Sequence, residues 1–340
     1  MSATVLASLN AGLQRAFAAD PTVLLLGEDI LDPYGGAFKV TRGLAAAYPE
    51  RVLTTPISEA GIVGVAAGMA LRGLRPVVEI MFGDFVTLAA DALLNHAAKF
   101  PRMFGQPLSV PLVVRTPMGG RRGYGPTHSQ TLEKLFLGAP GLEVYAPCAW
   151  GDPGDLLAQL ILHTQTPLLF VENKLQYLLA TGLGAPAADF QLEALAPRVA
   201  ALPAPAYRLT VAAAPPPTLT VAAYGYMAEL AAQAVRRAAY EQEIFCEVLA
   251  VTRLSPLDWE PLAASAARTG RLLTVEEGPL EAGWGAEVVA RLSTELGPRL
   301  QASARLAAAP EPIPASPPLE ARALPGIEAI FQAILALAAH

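Results

Sequence analysis

LEVYAP at 142–147, DPGDLLAQLILHT at 152–164 and PLLFVEN at 167–173 form the stretch that decides the fold: a short apolar run, an amphipathic helical pattern, then a second short apolar run. The spacing predicts a strand, a crossover helix and a strand parallel to the first. The same beat runs upstream. Val5, Leu6, Leu9, Leu13 and Phe17 share one helical face that Asp20-Pro21 ends, and VLLL (23–26) reads as a buried strand. PVVEIMF (76–82) and PLVVR (111–115) read as strands on either side of a helix over TLAADALLNHAAKF (87–100). Strands separated by helices imply a parallel sheet covered on both faces.

From about Leu178 to Pro217 the pattern dissolves into Ala, Pro and Gly, ending in Pro215-Pro216-Pro217, which continues neither a helix nor a central strand. The alternation then resumes. TLTVAAY (218–224), FCEVLAV (245–251) and RLLTVEE (271–277) read as strands, with helices over about 227–242, 258–268 and 282–296, a weak strand near 301–307, and a terminal helix over 325–338. APEPIPASPP (309–318) reads as an extended connector. The expected organisation is α/β with two doubly wound domains: residues 1–180, a Pro/Ala-rich linker at 181–217, and a smaller domain at 218–340.

Composition narrows the function. A chain of 340 residues holds about two domains at roughly 150 residues each. Its 2 cysteines, Cys148 and Cys246, lie far apart, against a disulfide framework or a CxxC site and in keeping with a reducing compartment, the cytoplasm by default. With 24 basic and 30 acidic residues the net charge is −6, unsuited to neutralising a phosphate backbone, so no nucleic-acid partner is expected. MSATVLASLNAGLQRAF lacks the basic opening and cleavage site of a secretory signal, and no uninterrupted apolar run is long enough to span a membrane. Only 16% of residues are charged while 53% are apolar, so either large faces are buried against other subunits or the abundant alanine inflates the count.

In an open parallel sheet, reactive groups gather where strands end. Gly27-Glu28-Asp29 follows the first strand; its carboxylates suit a cation or a ligand hydrogen bond, and equally an ordinary turn. Thr55-Pro56-Ile57-Ser58-Glu59 leads into AGIVGVAAGMA, where Ser58 can cap a helix and Glu59 falls in its first turn. Set between Ile57 and an apolar helix, the Glu59 carboxyl is a candidate for desolvation and proton transfer. Gly61, Gly64 and Gly68 leave that helix an almost bare face, costly in propensity unless another backbone approaches, from within the chain or from a second subunit. In MGGRRGYGPTHSQ (118–130), glycines admit a ligand to the backbone and Arg121 and Arg122 can clamp an anion, although a solvated surface loop has the same composition. His128 closes that segment. No His/Cys set has metal spacing, and neither GxSxG nor a post-strand GxGxxG occurs, so a metal hydrolase or Rossmann dehydrogenase is unsupported.

Taken in order and spacing, GEDILDPYGGAFKVTRGL (27–44), TTPISEAGIVGVAAGMAL (54–71), EIMFGDF (79–85), NHAAKF (95–100), THSQ (127–130), PGLEVYAP (140–147) and PLLFVENKLQY (167–177) resemble one family. It is the beta subunit of the thiamine diphosphate-dependent decarboxylating component of 2-oxo acid dehydrogenase complexes. VAAYGYM (221–227), TRLSPLD (252–258) and TVEEGPLEAGWGAEV (274–288) carry the resemblance through the second domain. It implies a transketolase-like pyrimidine-binding domain followed by a transketolase C-terminal-like domain. By the same resemblance, Glu59 hydrogen-bonds a ring nitrogen of the aminopyrimidine and drives deprotonation of the thiazolium carbon. Phe85 lies against the pyrimidine, Glu28, Ile57 and Ser58 add cofactor contacts, and His128 transfers protons near the substrate and lipoyl entrance. The acyl group of a decarboxylated 2-oxo acid would pass to a lipoyl-bearing acyltransferase.

One absence sharpens this expectation. The family superfold holds the diphosphate through Mg2+ bound by a GDG motif and a downstream Asn, and no GDG occurs here. The resemblance therefore assigns the Mg2+ and diphosphate half to an alpha subunit, in an assembly of two alpha and two beta chains that also buries apolar surface. Two departures stand out: Leu88, where pyruvate-type members tend to have Gln, and GGRRGYGPT, where Arg121 or Arg122 can read an additional anionic group on the substrate. The competing readings are a split transketolase-like or acyloin-forming carboligase subunit and a non-catalytic assembly subunit.

Overall fold

The computed structural model describes residues 3–182, 188–195 and 202–339. Its strands are β1 (Val23–Gly27), β2 (Val52–Thr54), β3 (Arg75–Glu79), β4 (Val113–Met118), β5 (Glu143–Tyr145), β6 (Leu168–Asn173), β7 (Phe190–Leu195), β8 (Ala206–Val211), β9 (Leu219–Tyr224), β10 (Cys246–Val251), β11 (Arg253–Ser255), β12 (Arg271–Pro279) and β13 (Ala302–Ala308). Its helices are α1 (Val5–Ala19), α2 (Leu44–Ala47), α3 (Glu59–Leu71), α4 (Phe100–Met103), α5 (Pro153–His163), α6 (Tyr226–Gln242), α7 (Trp259–Thr269), α8 (Trp284–Leu296), α9 (Pro317–Ala323) and α10 (Ile327–Ala338).

The first sheet runs β11-β5-β6-β4-β3-β1-β2, parallel except for β11. Side chains alternate across it as a pleated strand requires. Val23, Leu25, Val77, Val113 and Leu168 join the core beneath α1 and α5, while Leu24, Leu26, Val78, Val114 and Leu169 join the core beneath α3. Both faces are apolar, hence the unbroken hydrophobic runs in the sequence. α1 and α5 pack backbone to backbone, since a Cβ on Gly12 would stand 2.1 Å from the carbonyl oxygen of Gly154. β2 and β3 flank β1 on opposite sides, which opens a crevice at the carboxyl ends of β1 and β3.

The second sheet runs β13-β12-β9-β10-β8-β7, with β7 and β8 antiparallel to their neighbours and the others parallel. α6 and α10 cover one face, with Ile330, Phe331, Ile334 and Leu337 buried. The stretch from Pro317 to Ala338 is apolar enough in composition to cross a membrane, but its buried residues serve this core. The opposite face shares one apolar cluster with α3, from Leu24 and Val63 through Tyr224 and Trp284 to Leu292, so the two domains are packed together.

Several expectations need correction. Within 181–217, read as a linker, β7 and β8 form a hairpin-like edge of the second sheet, with Phe190, Ala206, Leu209 and Val211 buried; residues 183–187 and 196–201 lie outside the described residues. Flanking Pro and Ala masked the alternation in these strands. The helix expected over 87–100 is instead a 3-10 turn (Gly83–Ala89), a π-helical turn (Ala92–Ala97) and the short α4. Tertiary packing overrides the 3.6 period there: Gly83 abuts Met118, whose Cγ a Cβ would approach to 2.2 Å. The terminal helix over 325–338 begins at Ile327, and α9 precedes it within the supposed connector. β11, too short to announce itself, crosses from the second domain to extend the first sheet.

Candidate active site

The carboxyl ends of β2, β1, β3, β4 and β6 lie side by side, and each delivers a functional segment. Glu28 directly follows β1 and Glu59 opens α3 after β2; both are buried, Glu59 to 5% exposure. Burial raises the Glu28 carboxyl above its ordinary value, the neighbouring Glu59 and Asp29 charges raise it further, and the Ser58 backbone N–H it accepts pulls the other way. Its Oε1 is buried without a hydrogen-bond partner. Among the described residues, no hydrogen bond is formed by the Glu59 carboxyl. Ser58 does not cap α3 through its side chain, so its contribution is this backbone donor. Ile57 stands 82% exposed at the rim.

Beyond β3 come Phe82, Asp84 and Phe85. His128, on the segment after β4, fits edge-on against Phe82 and Phe85 with ring centroids 5.0 and 5.2 Å away. Thr127 Oγ1 lies 3.1 Å from His128 Nδ1. Asp84 fixes the following residue by accepting the Gln130 backbone N–H (3.2 Å) and side-chain amide (2.8 Å). After β6, Lys174 donates to the His128 carbonyl at 2.6 Å. Phe85 and His128 are thus brought together, as are Glu28 and Glu59, along one crevice.

The arginines part company. Arg121 sits at positive φ and spends its guanidinium on Glu277 Oε1 (2.9 Å) and on the carbonyl of Pro325. Glu277 also accepts the Gly120 N–H (2.8 Å) and the Asn173 amide (3.0 Å), while Glu320 accepts the Arg121 and Gly123 backbone N–H groups at 2.7 and 3.0 Å. Two acids of the second domain therefore clasp the 119–123 segment. The expectation that Arg121 reads a substrate anion is corrected: its donors are engaged by the interdomain contact. Arg122 is exposed, over the Tyr124 ring at 5.7 Å.

The residues suit the pyrimidine half of thiamine diphosphate: buried carboxyls with an unpartnered oxygen, and aromatic rings at the crevice. They do not supply the metal half, since no group of three His, Cys, Asp or Glu among the described residues is placed to hold a cation. Gly64 and Gly68 answer the question raised by the bare helix. A Cβ on either would meet nothing within 4 Å, so no intrachain contact requires them. Beside them Val65 is exposed.

Reasoning from sequence missed Asp84, Lys174, Glu277 and Glu320 as site residues. Lys174 follows directly from the rule of inspecting strand ends; the two second-domain acids carry no local signal, because their partners are 156–199 residues away.

Residues 2–178 match the family described as "Transketolase, pyrimidine binding domain" and residues 209–330 "Transketolase, C-terminal domain". The rice protein "Pyruvate dehydrogenase E1 component subunit beta-2, mitochondrial" is 37% identical, covering 97% of this chain and 85% of its own. The Cupriavidus necator "Acetoin:2,6-dichlorophenolindophenol oxidoreductase subunit beta" is 32% identical over 96% and 94% of the two chains. The Mycobacterium tuberculosis "3-methyl-2-oxobutanoate dehydrogenase subunit beta" is 33% identical over 88% and 82%. A solved structure titled "Split gene transketolase, inactive beta4 tetramer" shares the fold, with a TM-score of 0.71 over 97% and 96% of the chains at 19% identity. With both transketolase domains in order and relatives of this kind along nearly its whole length, the chain belongs to the family of E1 beta subunits of 2-oxo acid dehydrogenases.

Proposed function

We propose that this chain is the pyrimidine-binding half of a thiamine diphosphate site completed by an alpha subunit, in an assembly of two alpha and two beta chains that decarboxylates a 2-oxo acid and passes the acyl group to a lipoyl arm. The observation that carries the reading is the Glu28–Glu59 carboxyl pair, buried at the switch point of the first sheet with an oxygen left unpartnered. A buried acceptor is costly to leave unpaired, so this arrangement calls for a donor from outside the chain. The absence of a cation-binding cluster among the described residues and the open, glycine-lined face of α3 support a partner that brings Mg2+ and covers this surface. Buried free thiols at Cys148 and Cys246 accord with the cytoplasm as its location.

Thiamine diphosphate, when bound, supplies the electron sink for loss of carbon dioxide. The chain's own residues do the rest of the work on this side of the crevice. Glu59 holds a proton at a pyrimidine ring nitrogen, Glu28 backs it within the same desolvated pocket, and Phe85 presents a ring face that keeps water from the heterocycle. His128, wedged between Phe82 and Phe85, moves a proton at the substrate oxygen. Ile57 projects across the rim towards the partner.

The test is reconstitution with the alpha chain, thiamine diphosphate and Mg2+, comparing the unaltered chain with Glu59→Gln. Acyl-lipoamide formed from a 2-oxo acid, and lost on Glu59→Gln, is the expected result. Acyloin formed from an added aldehyde, with no use of lipoamide, would replace this reading with the carboligase; unchanged activity of Glu59→Gln would leave only an assembly role.

A further inference from the structure

Lys174 is an unusual side chain to find where it is. It follows β6, is 1% exposed, and its ammonium lies 5.1 Å from the Phe82 ring centroid and 5.8 Å from that of Tyr124. Its hydrogen bond runs to the backbone carbonyl of His128 at 2.6 Å, a length typical of a charge-assisted bond. Phe82 is the same ring that packs edge-on against the His128 imidazole. One cation therefore touches both the peptide that carries the histidine and the aromatic wall that orients it. Two residues on, Asp84 holds Gln130 from the opposite side. Burying an ammonium is expensive, and a surface loop does not require it.

We infer that Lys174 is a positioning residue for His128, setting the height and tilt of the imidazole by holding its carbonyl and the Phe82 ring at once. The inference rests on the proposed proton-transfer role of His128. The charged groups facing the ammonium are Asp84 beside the first-sheet rim, Glu277 and Glu320 from the second domain, and Arg122 on the glycine-rich segment. Burial lowers the ammonium to about 8, with Arg122 acting in the same sense while Asp84, Glu277 and Glu320 oppose it. Above that pH the bond to His128 loses its charge assistance and the hold on the imidazole loosens, so the catalytic rate should fall on an alkaline limb.

The experiment uses the reconstituted enzyme with Lys174→Met, Lys174→Arg, His128→Gln and the Lys174→Met/His128→Gln pair. Steady-state rates are measured from pH 6 to 10, with assembly checked by size. Lys174→Met should lower kcat at least tenfold with the KM for thiamine diphosphate within about twofold. Arginine keeps a charge and donors, so Lys174→Arg should recover most of the loss and shift the alkaline limb above pH 9. In the pair the losses should not multiply, because Lys174 acts through His128. The inference is overturned by Lys174→Met within twofold of the unaltered enzyme, by losses that multiply in the pair, or, should Lys174→Met fail to assemble, by an unshifted alkaline limb in Lys174→Arg. A silent His128→Gln overturns the proton-transfer reading itself and the inference with it; an impaired His128→Gln beside a silent Lys174→Met overturns the inference alone.

Discussion

Replacing Arg121 by alanine should weaken the joint between the two domains and leave discrimination among substrates alone. The Arg121 side chain is 19% exposed and pairs at 2.9 Å with Glu277, which is 4% exposed. Removing one partner of a buried pair costs about 3–5 kcal/mol, because the other charge stays behind uncompensated. Glu277 would keep the Gly120 N–H at 2.8 Å and the Asn173 amide at 3.0 Å. Those donors, and the partial exposure of Arg121, place the expected loss below that range, at about 2–3 kcal/mol. For a chain of this size the corresponding fall in Tm is about 4–12 °C, measurable by calorimetry. Glu277→Gln removes the stranded charge, so it should cost less in the Arg121→Ala background than alone, with a coupling of about 1–2 kcal/mol. Arg122→Ala, at an exposed position, should shift Tm by less than about 1 °C. An Arg121→Ala chain that melts with the unaltered protein, yet changes its preference between mono- and dicarboxylic 2-oxo acids, would refute the clasp.

Three further outcomes are expected. Glu59→Gln should lower decarboxylation by the reconstituted assembly at least about 100-fold while association with the alpha chain is retained, as read by size-exclusion chromatography beside the rate assay. Gly64→Leu combined with Gly68→Leu should leave the Tm of this chain unchanged or raised, since nothing lies within 4 Å of either added Cβ, while association with the partner falls at least tenfold; equal loss of both properties would place the requirement inside the chain. Glu229, on α6, is raised by burial to about 7, against an ordinary 4.5. The folded state therefore keeps a proton that the unfolded chain releases, so this group's contribution declines as pH rises from about 4.5 to 7 and levels off above. Glu229→Gln should accordingly raise Tm at pH 8 relative to the unaltered chain and gain less at pH 5; an equal gain at both would sink the assignment.

The fold was legible where strands are buried on both faces. Runs such as VLLL and PLLFVEN carry their environment in their composition, because β1 and β6 face helices on either side. β7 and β8 are edge strands whose outward positions are exposed and whose surroundings are Pro and Ala, so their alternation is weak. The segment from Gly83 to Met103 shows helical periodicity, yet the approach of Met118 and the hold of Asp84 on Gln130 shape it into irregular turns. Such contacts cannot be read from a local window. The same division holds at the site. Glu28, Glu59 and His128 lie just beyond strand ends and can be found by inspecting those positions. The role of Arg121 could not, since its composition suits an anion clamp and only the second domain's Glu277 decides otherwise.

The central claim is that this chain carries half of a catalytic site. Native mass spectrometry of the protein purified at low salt from its own host, with 2-oxo acid decarboxylation measured on the same preparation and on the isolated chain, tests it most directly. The account predicts a stoichiometric complex of two copies of this chain with two of a partner containing GDG and a downstream Asn, activity in the complex, and none in the isolated chain. A homo-oligomer that decarboxylates a 2-oxo acid with thiamine diphosphate and Mg2+ alone would contradict it.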